Sequence, residues 1–121
     1  MKYIWQIITG RRCDAYVHGT FIAESLNDIF KYIIQNIDNY LELFNECCYN
    51  DWGLISRALN DAGYTKSINL NNNAKKEIFK SKLIKILSSL DFKYEGRFLE
   101  GYEDGGYVYI TREKYDDIVQ L

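Results

Sequence analysis

The hydrophobic residues within 25–48 recur at intervals of three and four, which predicts one long amphipathic helix. Ser25 can cap its first turn, because Asp28 follows three residues later and a carboxylate there suits the positive end of the helix dipole. The apolar stripe consists of Leu26, Ile29, Phe30, Ile33, Ile34, Ile37, Tyr40, Leu41 and Phe44. A helix with so wide a stripe is not stable alone in water, so we expect the remaining chain to pack against it.

Two runs of β-branched and aromatic residues precede this helix and predict a hairpin. The first run covers residues 3–8, residues 10–12 interrupt it, and residues 13–17 continue the pattern. Both faces of the first run are apolar, which indicates a strand in the interior of its sheet. The pair His18-Gly19 predicts a further chain reversal before the long helix.

The pattern after the long helix predicts two more helices. Asn50 and Asp51 offer a cap for the second helix, and Gly63 suits a left-handed residue at its end. The apolar side of this second helix consists of Trp52, Ile55, Leu59 and Ala62. Residues 71–73 predict a turn whose last member caps the third helix. Its inward positions are Phe79, Leu83, Ile86, Leu87 and Leu90.

From Phe92 onward the hydrophobic period changes to two, which predicts a C-terminal hairpin. Its strands are residues 92–99 and 107–110, and the acidic, glycine-rich residues 100–106 form the turn. Thr111 can then cap a short last helix. The apolar residues of that helix are Tyr115, Ile118 and Val119.

These elements predict a single α+β domain over residues 1–121. We expect an antiparallel β-sheet made from the N- and C-terminal hairpins, packed against three central helices plus a short C-terminal helix. The sequence contains no internal repeat and no linker that would divide it.

The composition favours a protein that binds a partner. Sixteen per cent of the residues are aromatic and eleven are tyrosines, a residue type that suits binding surfaces as well as cores. An A/T-rich genome would also raise the tyrosine content. The net charge of −2 argues against a dedicated polyanion binder, so nucleic acid is not the expected partner. The first residues lack the pattern of a signal peptide and no run suits a membrane span, so we expect a cytoplasmic protein.

Charged residues are segregated along the chain. Residues 24–51 contain six acids and one lysine, whereas residues 66–85 contain six lysines and one glutamate. These blocks can attract each other within the fold, or one of them can face an oppositely charged partner. The residues predicted to bind such a partner are Glu42, Glu46, Asp51, Tyr102, Glu103 and Asp104.

The motifs of several enzyme classes are missing from the sequence. It has neither a glycine-rich phosphate-binding motif nor the sequence setting of a catalytic serine or cysteine, so we predict no catalytic residue and no cofactor. A metal site is not predicted either, because adjacent cysteines do not match ligand spacing, and the candidates would be Cys13, His18, Cys47 and Cys48. A nuclease that uses Arg11, Arg12 and His18 stays open as an alternative, as does a small enzyme of another type.

These features predict a small non-enzymatic inhibitor that blocks the surface of another protein. Bacterial toxin-immunity proteins and phage-encoded inhibitors of host defence enzymes are examples, and acidic and aromatic residues suit a partner with a basic site. The alternative is a winged-helix-like nucleic-acid-binding regulator that uses helix 74–90 and hairpin 92–110. The acidic turn and the scattered lysines argue against this alternative, since phosphates attract clustered cations.

Overall fold

The computed structural model describes residues 1–11, 14–102 and 106–114. Within them the chain forms one four-stranded antiparallel sheet and four α-helices. This arrangement confirms the predicted α+β class and the sheet made from the two terminal hairpins.

The sheet has the strand order β2-β1-β4-β3. Its strands are β1 (Tyr3–Arg11), β2 (Asp14–Ala23), β3 (Phe98–Gly101) and β4 (Tyr107–Lys114). β1 pairs with β2 on one side and with β4 on the other, so it is an interior strand, as its two apolar faces predicted. The pairing of β1 with β4 is therefore what joins the two hairpins into one sheet.

The two faces of the sheet differ in what covers them. On the inner face, Trp5, Ile7 and Val108 are buried in the main hydrophobic core. On the outer face, the alternate positions of β1 are occupied by Ile4 and Ile8, which lie outside that core cluster. The helices thus contribute to the core on the inner side of the sheet.

The reversal predicted at His18-Gly19 is wrong, because both residues lie within β2. The register shifts there: Ile7 is opposite Gly19 and Ile8 is opposite Val17, so His18 is the extra residue of a β-bulge. Its Nε2 lies 2.6 Å from Oγ1 of Thr9.

The single long helix predicted over residues 25–48 is interrupted twice. The segment folds as α1 (Leu26–Gln35), a 3₁₀ turn (Ile37–Asn39) and α2 (Leu41–Cys47). The first interruption is at Asn36, whose backbone leaves the helical conformation at φ −122° and ψ 36°. Its N–H and its side-chain amide both donate to the Tyr32 carbonyl at 3.0 Å.

The predicted start and stripe of this segment are confirmed. The Ser25 hydroxyl accepts a hydrogen bond from the Asp28 N–H at 3.3 Å. Every member of the stripe is buried except Ile34, which is half-buried. The 3₁₀ turn therefore changes the direction of the chain without exposing its apolar side.

The other two helices are α3 (Leu54–Asp61) and α4 (Asn73–Ser89). α4 is capped by Asn72, whose side chain accepts from the Lys75 N–H, so the cap lies one residue before the predicted position. Gly63 has a φ of +99° after α3, which confirms the predicted left-handed residue.

The cap predicted for α3 at Asn50 and Asp51 is wrong. Gly53 occupies the N-cap position, and its N–H donates to the Ser56 hydroxyl at 3.0 Å. Trp52 therefore precedes the helix and does not lie on its buried side.

The C-terminal hairpin also differs from the prediction. β3 begins only at Phe98, because Phe92 stacks on the Phe30 ring and Tyr94 packs edge-on against Trp5, which draws residues 92–97 into irregular structure. β4 continues through Thr111, which pairs with Gln6 and does not begin a helix. The remaining part of the predicted helix, residues 115–121, lies outside the described residues.

No helix in the part of the chain that the structure describes has the length and hydropathy needed to cross a bilayer.

Candidate functional site

The residues predicted to bind a partner fall on two neighbouring parts of the structure. Glu42 is exposed on α2, and Glu46 is half-buried one turn later. Asp51 is exposed in the connection between α2 and α3, and Tyr102 is half-buried directly after β3. The other two candidates, Glu103 and Asp104, lie outside the described residues.

The α2–α3 connection, residues 48–53, packs closely against the end of β3. The Asn50 side chain fills the space next to Gly101, where a Cβ would overlap its amide group. A Cβ on Gly53 would likewise overlap the carboxylate of Glu100. These two contacts join the connection, which contains Asp51, to the end of β3, which Tyr102 directly follows.

Glu100 fixes the connection from the inside of the protein. Only 1% of its surface is exposed, and its carboxylate accepts hydrogen bonds from the N–H groups of Ile55, at 2.5 Å, and Ser56, at 3.2 Å. These are N–H groups of the first turn of α3, which have no acceptor within the helix. A carboxylate at this end also meets the positive end of the helix dipole.

The pKa of the Glu100 carboxyl is raised from its ordinary value because burial removes water from the charged form. The N–H groups of Ile55 and Ser56 act in the opposite direction but do not cancel the effect of burial. The prediction that Glu100 belongs to an acidic turn is therefore wrong: it is a buried strand residue that caps a helix.

Two further side chains hold the connection in place. The Asn60 amide donates to the Cys48 carbonyl at 3.1 Å, and Nε of Arg57 donates to the Asp51 carbonyl at 3.4 Å. Both donors lie on α3, so the connection is tied to the helix that follows it. Two carbonyl groups of the connection are thus hydrogen-bonded although the segment has no regular secondary structure.

Large apolar side chains are nevertheless exposed on this connection and on the first residue of α3. Tyr49 exposes 51% of its surface, Trp52 exposes 52% and Leu54 exposes 46%. Together with Asp51 and Tyr102 they form a surface that we name the Trp52 patch. Such side chains on a rigid support are typical of the residues that contribute most to protein–protein binding.

An open groove of about 320 Å³ lies between α2 and residues 67–71, and Glu42 and Glu46 line it. The buried Asn45 amide shapes this groove, because it both donates to and accepts from the backbone of Ile68 at 2.9 Å. The hydroxyl of Tyr49 lies 2.7 Å from that of Ser67, which also lines the groove. The two acidic residues of α2 are therefore contiguous with the Trp52 patch.

Part of the charge segregation is satisfied within the fold. Nζ of Lys80 lies 2.9 Å from Oδ1 of Asp38, which joins the lysine-rich and acid-rich blocks. Their hydrogen bond raises the pKa of the lysine and lowers the pKa of the aspartate. Glu42 and Asp51 take part in no ion pair among the described residues.

The cysteines at the end of α2 are core residues. Their thiols donate to the carbonyls of Leu43 and Phe44 one turn earlier. Burial raises the pKa of the Cys48 thiol to about 12 and that of the Cys47 thiol well above its ordinary value. Among the residues that the structure describes, no three histidine, cysteine or acidic side chains are grouped so as to hold a metal ion.

The sequence reasoning missed Tyr49, Trp52, Leu54 and Glu100. A signal for Trp52 was present, because Gly53 followed three residues later by Ser56 is a plausible helix start, and it places Trp52 before the helix. Glu100 carries no such signal, since its hydrogen-bond partners lie 44 and 45 residues away in sequence.

No protein-family model, curated protein or solved structure matches this chain.

Proposed function

We propose that this chain is a small, non-enzymatic inhibitor that binds another protein through the Trp52 patch. It would act as bacterial toxin-immunity proteins and phage-encoded inhibitors of defence enzymes do, by covering a surface that the partner needs. One observation carries the proposal: a half-exposed tryptophan is presented by a segment that the buried Glu100 fixes from beneath.

The rigidity of the connection supports this function energetically. Ordering a mobile side chain or loop during association costs free energy, which reduces the affinity of flexible surfaces. The hydrogen bonds of Asn60 and Arg57 hold the connection before any partner arrives. Burial of the exposed half of Trp52 against a partner can therefore contribute hydrophobic free energy with little loss for ordering the connection.

The charges around the patch suit a partner with a basic site. Asp51 lies within the patch, and Glu42 and Glu46 line the adjoining groove. Carboxylates at the rim of an interface raise the rate of association with a positively charged surface and disfavour acidic partners. Toxins and defence enzymes that act on nucleic acids carry such surfaces, because they must bind phosphates.

Growth rescue in bacteria tests the function. Cells that express single toxins or defence nucleases with basic active sites are supplied with this chain, and we expect the wild-type protein to restore growth against at least one of them. Trp52→Ala should abolish that rescue. Ile78→Ala is the matched control, because Ile78 exposes 57% of its surface on α4 and is not a residue of the patch.

Rescue by Trp52→Ala equal to that by the wild type would show that the patch is not the binding surface. Failure of the wild type against every such enzyme would count against the inhibitor function itself. Western blotting of all three proteins controls for expression.

Binding to duplex DNA tests the alternative function, a winged-helix-like regulator. In the structure, Lys80 is paired with Asp38, and β4 pairs with β1 as well as with β3, so the C-terminal hairpin is part of the central sheet. We expect no salt-dependent DNA binding. A steep salt dependence that disappears in the Lys80→Ala, Lys85→Ala double variant would favour the regulator over the inhibitor.

A further inference from the structure

The outer face of the sheet is apolar across all four strands. The register of the strands places these outward side chains side by side. The apolar members are Ile4, Ile8, Val17, Ile22, Leu99, Tyr107 and Tyr109, and the uncharged polar members are Gln6, Thr20 and Thr111. Among the described strand residues, Glu113 alone brings a charge to this face.

Nothing in the described part of the chain incorporates this face into the core. None of its apolar residues belongs to the main hydrophobic cluster or packs against it. Val17, Ile22 and Tyr107 expose 56%, 58% and 46% of their surfaces. An antiparallel sheet with one face on the core normally carries polar residues on the other, so this face has the composition of a covered surface.

We propose that two copies of this chain pack their outer sheet faces against each other and form a symmetric homodimer. The two sheets would lie about 10 Å apart, with their strands at about 30°, as in a β-sandwich. A twofold axis would place the same residues of both copies in the interface.

The area of the outer sheet face can be compared with the area that a homodimer interface needs. Strands lie about 4.8 Å apart and rise about 3.3 Å per residue, so the paired residues of the four strands cover roughly 450 Å² in flat projection. The accessible surface of protruding side chains exceeds that projection, and a standard interface buries about 800 Å² on each partner. The face is therefore smaller than a standard interface and corresponds to a weak dimer.

The charge of the chain favours a second copy of the chain, and not a basic protein, as the occupant of the outer sheet face. Two chains with a net charge of −2 repel each other over most of their surfaces, but not where both surfaces are uncharged. Homodimer interfaces are more apolar than other interfaces and are poor in charge at their centres. A basic protein, in contrast, would gain no electrostatic attraction from this face.

Sedimentation equilibrium of the full chain tests the proposal. We expect a monomer–dimer equilibrium for the wild type between roughly 1 µM and roughly 1 mM protein, the range of a weak complex. Val17→Lys should weaken the dimer at least about tenfold, because each dimer would then bury two unpaired ammonium groups. Tyr16→Lys is the matched control and should change the dissociation constant less than about threefold, since surface substitutions outside an interface have small effects.

The control works because Tyr16 and Val17 are neighbours on β2 with side chains on opposite faces of the sheet: Tyr16 pairs with the inner residue Thr9, and Val17 with the outer residue Ile8. Equal weakening by both substitutions would indicate pairing along the edge of β2 and would overturn the proposal. A monomer at every concentration would also overturn it. If the wild type is monomeric and Val17→Lys lowers the unfolding midpoint, other residues of the same chain cover the face.

The dimer and the inhibitor function are tested separately. The Trp52→Ala variant retains every outer-face residue and should dimerise as the wild type does. A monomeric protein that still rescues growth would remove the dimer and leave the inhibitor function intact.

Discussion

The Trp52 patch and the outer sheet face both expose large apolar side chains, but different structures hold them. The outer face follows from regular alternation along paired strands, and every residue on it has its backbone in a ladder. The patch lies on an irregular connection that depends on one buried carboxylate, that of Glu100. An apolar sheet face with little charge suits a second copy, whereas exposed aromatic residues beside carboxylates suit a different protein with a basic site.

Glu100→Ala should distinguish most strongly between the structure that holds the Trp52 patch and the structure that holds the outer sheet face. The substitution leaves the N–H groups of Ile55 and Ser56 without an acceptor and opens a cavity, so we expect a loss of about 3 kcal/mol or more in the free energy of unfolding. Urea denaturation measures it. Glu95→Ala, at an exposed position, should change the same quantity by less than about 0.5 kcal/mol. A loss below about 1 kcal/mol for Glu100→Ala would mean that the carboxylate does not hold the connection.

Gly53→Ala tests the close contact between Gly53 and the Glu100 carboxylate by changing the glycine. The added Cβ would overlap the Glu100 carboxylate, which must move away from α3, and we expect a loss of about 2 kcal/mol in urea denaturation. Gly10→Ala is the control in the sheet, because a Cβ there would meet the rings of Tyr109 and Tyr107 at 3.4 and 3.5 Å, near ordinary contact distance. Equal losses for the two variants would contradict a special role of Gly53.

The pH dependence of stability should also distinguish the patch. The pKa of Glu100 is raised in the folded protein above its ordinary value of 4.5, so the folded state holds this proton to higher pH than the unfolded state does. The contribution of Glu100 to stability is therefore greatest below pH 4.5 and decreases as the pH rises through the folded pKa.

The Glu100→Gln variant lacks this titration and provides the reference. We expect the free energy of unfolding of the wild type, minus that of the variant, to decrease with rising pH above 4.5 in a series of urea titrations. An increase over the same range would mean that the N–H groups of Ile55 and Ser56 lower the pKa more than burial raises it.

Trp52→Ala should have the smallest effect on folding. Half of the Trp52 surface is already exposed, so we expect a change of less than about 0.5 kcal/mol in the free energy of unfolding.

Thermal unfolding at several protein concentrations sharpens the comparison of the two surfaces, because the unfolding midpoint of a dimer rises with concentration. Ile22→Ala should reduce that concentration dependence and Trp52→Ala should leave it unchanged. The opposite result would exchange the roles of the two surfaces.

Local patterns were sufficient to predict most of the fold. The alternation of Trp5 and Ile7 predicts β1, the stripe from Leu26 to Phe44 predicts the buried side of α1 and α2, and Gly63 predicts the end of α3. Each of these signals depends on residues close in sequence, which is where helix and strand periodicity operates. The interruption at Asn36 is a local change of backbone conformation that leaves the apolar period almost unchanged, so the period could not predict it.

The site was predictable only in part. The acidic block predicts Glu42 and Asp51 as partner-binding residues, a role that requires exposed side chains, and the structure exposes both. The exposure of Trp52 depends on the helix starting at Gly53, and that start depends on Glu100, which reaches α3 from another strand. A contact over 45 residues leaves no periodic signal, so only the folded chain relates the tryptophan to its support.

Hydrogen exchange of the backbone amides of Ile55 and Ser56 in the wild-type protein tests most directly whether the Trp52 patch is held rigid before binding. Because both amides donate to a carboxylate that is almost fully buried, we expect them to exchange only through global unfolding, as slowly as the amides of Ile7 and Ile110 in the central strands. Exchange as fast as that of the exposed residues Asn69 and Asn71 would contradict the account, because the connection would then open without unfolding of the protein.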